Sequence, residues 1–186
     1  MQAGGGVWHG GAMVPGERVR GYQLWVALPA YLEHRPALSQ DLEPSEIASD
    51  GRTRVLLGSH GNLRSAMVDV SPMTYLHVRL QDRETWRYQP PALHDVAWLA
   101  VNEGKLHVGG AVVTRQMAVF DEGDGVLELR AEGATELVLG SAAKHPYPLV
   151  CGDYSVHTSE RALVVGEDGI RKVASRLGSK RALVPR

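Results

Sequence analysis

The sequence predicts an all-β fold closed by one helix, and three observations carry that prediction. Apolar runs with period-two alternation crowd residues 53–140. Glycine-bearing turn signals separate them at Asp50-Gly51, Glu103-Gly104, Gly109-Gly110 and Gly123-Asp124-Gly125. Near the C-terminal end the apolar spacing changes once, to a helical stripe.

Residues 20–28 read as the first strand. Tyr22, Leu24, Val26 and Leu28 fall on one face and Gln23, Trp25 and Ala27 on the other. Pro29 then stops the ladder by removing a donor. The polar stretch that follows, with Pro36 and Pro44, reads as a surface linker. Strands are expected at 53–57, 65–70, 74–81, 95–102, 105–108, 111–113, 117–121, 126–131 and 135–140. Asn102-Glu103-Gly104, lying between two alternating runs, predicts a hairpin over 101–108. So many short strands imply a sandwich or barrel. In 161–177, Leu163, Ile170, Val173, Ala174 and Leu177 share a helical face, and Ser159 or Thr158 offers the N-cap. Gly166 and Gly169 each cost about 1 kcal/mol relative to Ala, so this helix is expected to depend on docking its apolar face against the β body.

The 186 residues carry a formal charge of −1, with a pI near 6.7. No global charge draws the chain to nucleic acid, to an anionic membrane or to acidic substrates. No run approaches the ~18 apolar residues a membrane span needs. The single cysteine, Cys151, rules out an internal disulfide and fits a reducing compartment, so a soluble cytoplasmic protein is expected. Cys151 itself reads as a small buried hydrophobe, since no basic neighbour in sequence would lower its pKa. The closing Leu183-Val184-Pro185-Arg186 matches what a tag-removal protease leaves behind and is set apart from function.

Three patterns could carry chemistry. His77 and His107 lie on predicted strands and His94 just before one, but none forms His-x-His, so they read as surface or satisfied core groups. Asp153, Ser155 and His157 share one strand face, yet no Gly-x-Ser-x-Gly elbow supports a hydrolase. Gln23 and Trp25 could line a pocket, or serve as a backbone partner and a core residue.

Met1-Gln2-Ala3-Gly4-Gly5-Gly6-Val7-Trp8-His9, followed by Gly21-Tyr22-Gln23-Leu24-Trp25-Val26-Ala27-Leu28-Pro29, strongly resembles the pirin family. Residues 148–159 are similar to the end of a bacterial subgroup in which a C-terminal helix follows. The resemblance implies a bicupin, two jelly-roll barrels of which the first holds one iron-like metal through three histidines and a glutamate. His9 takes the position of the third histidine, and Gly11 stands where the glutamate belongs. The family's upstream His-x-His has no counterpart in this sequence; an in-frame His-x-His about 40 residues before Met1 would make Met1 an internal methionine. The expected domains are a remnant of the first barrel (1–33), a linker (34–51), a complete second barrel (52–143), a helix-bearing segment (144–179) and a tail (180–186). The implied activity is iron-dependent opening of a flavonol such as quercetin. The alternative is a non-catalytic regulatory module that binds a protein partner. One imidazole falls short of the three to four ligands a mononuclear site needs. The bared edge of the first barrel predicts self-association.

Overall fold

The computed structural model describes residues 1–10, 16 and 21–177. The expected tail at 180–186 and Gly11 lie outside the described residues. The chain forms two compact units, one of residues 41–144 and one of residues 1–40 with the chain from His145 onward. Among the described residues, no helix is long and apolar enough to cross a membrane.

Residues 41–144 are built on an antiparallel sheet. Its strands are β1 (Thr53–Leu57), β4 (Met73–Leu80), β5 (Thr85–Tyr88), β6 (Val96–Val108), β7 (Ala111–Val113), β8 (Met117–Val119) and β9 (Leu127–Ala142). They run in the order β1-β4-β9-β6-β7, with β5 paired to β9 and β8 to β6; β2 (Ser59–His60) and β3 (Leu63–Arg64) make a separate small hairpin. Period-two alternation places one side chain in two on a common apolar core. Val55, Leu76, Val78, Leu80, Tyr88, Leu99, Leu106, Leu129, Leu137 and Leu139 are essentially sealed from solvent there.

The largest departure from the sequence reading lies in β6 and β9. The predicted hairpin over 101–108 is one continuous strand, and the two strands predicted at 126–131 and 135–140 are also one. Gly104, at φ +78°, and Gly133, at φ +75°, look like turn residues because both occupy the left-handed region. They mark a bulged stretch instead, since the β6–β9 register shifts between Val101 and Glu103 and again between Glu103↔Glu136 and Lys105↔Glu132, and then resumes. Residues 65–70 form no strand, and β5, absent from the sequence reading, supplies Trp86 and Tyr88 to the core.

The second unit carries little sheet. Residues 21–29 form no strand, and Trp25 is 68% exposed. Arg20, the start of the predicted strand, lies outside the described residues. Alternation alone does not make a strand, because the backbone groups need a neighbour to complete a ladder. Within residues 1–10 and 21–40, the pairing that does form is a bridge between Gln2 and Leu38. After His145, β10 (Val150–Cys151) pairs with β11 (Val156–His157), and α1 (Glu160–Leu177) follows. Ser159 caps α1, its Oγ accepting from the Ala162 N–H at 3.2 Å. The face of α1 closest to its neighbours holds the small residues Ala162, Gly166 and Gly169, which meet β11 and the Gly5–Gly6 backbone; Leu177 is exposed. Cys151 is exposed as well, contrary to its expected burial, because β10 has a single partner strand.

Candidate functional site

Residues 41–144 hold one fully enclosed polar network. The Tyr88 hydroxyl and His94 Nδ1 each lie 2.7 Å from Ser141 Oγ. Burial pushes the His94 imidazole below its ordinary pKa, with Asp95 pulling weakly the other way. In the Nε2–H tautomer of the neutral ring Nδ1 accepts, and Tyr88 donating to Ser141 with Ser141 donating to His94 then satisfies the three groups. His60 packs against Tyr88 and Trp86, with ring centroids 5.8 and 5.5 Å apart. This interior is filled by side chains, and no convergent set of ligands opens into it. His77 and His107 pair with Glu136 and Glu132 instead, at 3.5 and 2.9 Å.

A second constellation stands in the other unit. Glu33 and His157 are each 5% exposed. Glu33 lies just past a turn in which the Leu32 N–H donates to the Pro29 carbonyl, and His157 closes β11. The Glu33 carboxylate accepts from His157 Nδ1 at 3.0 Å, from the Thr158 N–H at 3.0 Å and from the Thr158 hydroxyl at 2.6 Å. Burial alone would raise the Glu33 pKa, yet the Thr158 bonds and His157 together outweigh it, and the carboxyl stays below its ordinary value. His34, on the exposed side, lies nearly parallel to His157, with centroids 5.6 Å apart. Glu33, His34 and His157 are the described residues whose ligand atoms gather within 4.8 Å of one another.

His9 is exposed and does not join that group; Gln23 and Trp25 are exposed. Around His9 the described residues supply one imidazole, which does not fit a mononuclear metal ion. Asp153, Ser155 and His157 do not converge, since Ser155 Oγ donates to Glu167 Oε1 at 2.9 Å and His157 turns to Glu33. Glu33 and His34 escaped the sequence reading because they fall at the edge of a polar stretch with no periodicity. The adjacent acid and imidazole were the available signal, and their partner lies 124 residues away.

No family model matches the chain. It is 30% identical over 156 residues to a protein named pirin-like from Caulobacter vibrioides, covering 78% of this chain and 54% of that one. The chain is a pirin-like cupin. This pirin-like chain is also 31% identical over 176 residues to a Pseudomonas aeruginosa protein provisionally named a quercetin 2,3-dioxygenase, covering 83% of this chain and 60% of that one. A crystal structure of quercetin 2,3-dioxygenase from Acinetobacter baumannii shares the fold, with a TM-score of 0.69 at 18% identity over 86% of this chain and 56% of its own. The pirin-like chain thus spans a little over half the length of these relatives.

Proposed function

We propose that this pirin-like cupin belongs to a metal-dependent dioxygenase of the flavonol-cleaving kind, and that the residues present here make an incomplete metal site. The observation that supports the reading is the likeness, at 31% identity, to a relative provisionally named for quercetin 2,3-dioxygenase activity. His9, within the Met1–His9 motif, would be the one ligand this chain contributes to an iron ion. That ion would supply binding of the deprotonated substrate hydroxyl and of dioxygen. The barrel of residues 41–144, with its core of aliphatic and aromatic groups, would act as scaffold. A cytoplasmic location fits the lone cysteine. The deciding assay is oxygen uptake with quercetin and iron(II) by a form extended upstream through an in-frame His-x-His. Turnover that His9→Ala abolishes is expected. Absence of that motif, or an inactive extended protein, overturns the reading.

A second reading, a non-catalytic module that binds a protein or another copy of itself, has its own observation. Trp8, Tyr22, Trp25 and Tyr31 are between 42% and 68% exposed on the unit containing residues 1–40. Light scattering that shows a monomer at high concentration counts against the self-associating form.

A further inference from the structure

We propose that Glu33, His34 and His157 form a binding site for one divalent transition-metal ion, assembled from residues other than His9. A buried carboxylate paired to a buried histidine is, by itself, a sufficient pin between two chain segments. What it leaves unexplained is His34. Its ring lies alongside His157 and makes no hydrogen bond with the described residues, so it brings a free nitrogen to a place that already holds an anion and an imidazole.

The geometry is close to what an ion requires. Two imidazoles on one tetrahedral ion, at metal–nitrogen distances of about 2.0–2.1 Å, have their ring centroids about 5 Å apart; here the separation is 5.6 Å with the rings stacked at 21°, so His34 must turn as well as approach. The Glu33 Oε2 to His157 Nδ1 distance of 3.0 Å is an edge that one ion can bridge. The full spread of 4.8 Å must contract to about 3.4 Å, the edge of a tetrahedron at those bond lengths. Exposed His34 can supply that contraction by a side-chain rotation.

The surroundings are built to hold the ligands in place. Thr158 grips the carboxylate through both its N–H and its hydroxyl, orienting it as outer partners orient ligands in metal sites. The other edge of the His157 ring rests on α1 at Gly166, where an added Cβ would run into Nε2. Glu33 at Nδ1 and the Gly166 backbone beside Nε2 thus bracket the ring. An ion bound at Nδ1 takes the place of the hydrogen shared with Glu33, and the neutral ring then carries its hydrogen at Nε2. Two nitrogens and one carboxylate suit zinc, cobalt(II), nickel or iron(II) and disfavour calcium or magnesium, which prefer all-oxygen shells. Three protein ligands leave a position for water on the open side beside His34.

Zinc titration by calorimetry, with cobalt(II) absorption as a spectroscopic check, tests the site. One equivalent is expected to bind, with the visible bands of a tetrahedral cobalt centre. His34→Ala lies on an exposed residue, so the fold should hold while affinity drops about tenfold or more. Glu33→Gln should weaken binding as well, and His9→Ala should leave it unchanged. The proposal is overturned if no saturable 1:1 binding occurs or if His34→Ala binds as the parent does. It is also overturned if His9→Ala removes the ion; that last outcome would support the dioxygenase reading and sink this one, so the two fail separately.

Discussion

Three histidines of residues 41–144 give the barrel a defined response to acid. His60, His77 and His94 all have pKa values lowered chiefly by burial. Their charged neighbours only temper this. Asp50 opposes burial at His60 while Arg52 adds to it, Asp95 opposes it at His94, and at His77 Glu136 opposes it while Arg79 and Arg54 add to it. Each ring is neutral in the folded state and takes a proton more readily when unfolded, at a pKa of about 6.5. Their contribution to stability is therefore complete above about pH 6.5 and is lost as the pH falls toward the lowered folded values. Asp50 and Glu84, whose pKa values are also lowered, lose their contributions only at more acid pH, below their ordinary values of 3.8 and 4.5. Thermal melts should show the midpoint falling between pH 7 and pH 5; a flat profile across that interval would refute the assignment.

At the scale of elements, α1 shows how a propensity rule changes sign in context. Gly166→Ala should gain about 1 kcal/mol of helix propensity. The new methyl would meet the ring of His157, which Glu33 and Thr158 hold in place, and overpacking of this kind costs about 1–3 kcal/mol. A net loss of stability is expected, measured as a lower denaturant midpoint; a gain would mean that the ring yields easily. The same helix shows what was legible in the sequence. Its start at Ser159, its extent and its partly buried stripe followed from spacing and capping, which are local properties. Its glycines looked like penalties because the groups that approach them, His157 and the Gly5 carbonyl, come from distant parts of the chain. Gly104 and Gly133 misled in a related way. Positive φ marks a turn and a bulge equally, and only the partner strand distinguishes them. The β-rich character and most strands of residues 53–142 could be read because alternation survives burial on one face. The Glu33–His34–His157 cluster could not, since no local pattern joins a linker edge to a strand end so far along the chain.

At the scale of the molecule, residues 41–144 hold their own core and their own polar network, with every sheet partner inside the same span. That span, expressed alone, should fold cooperatively, with a β-type circular dichroism spectrum and dispersed amide resonances. A spectrum typical of an unfolded chain would show that its strands need help from outside. The remaining unit leans instead on a few specific ties: the Gln2–Leu38 bridge, the β10–β11 pair, the Ser159 cap and the Glu33 grip on residues 157 and 158. Its many exposed aromatic residues are consistent with a surface that another polypeptide covers.

Cys151, alone and solvent-facing in β10, shapes how any such association must be judged. With no second thiol in the chain, the one disulfide that air oxidation can form within a pure sample joins two molecules through Cys151. That pair would resemble native self-association in light scattering and would vanish with reductant, so the comparison with and without reductant separates chemistry from recognition. The same solitary thiol accepts one maleimide dye per molecule. Because it faces Val156 across the ladder, next to His157, a dye there would sit near enough to report cobalt(II) arrival by quenching, without a second label.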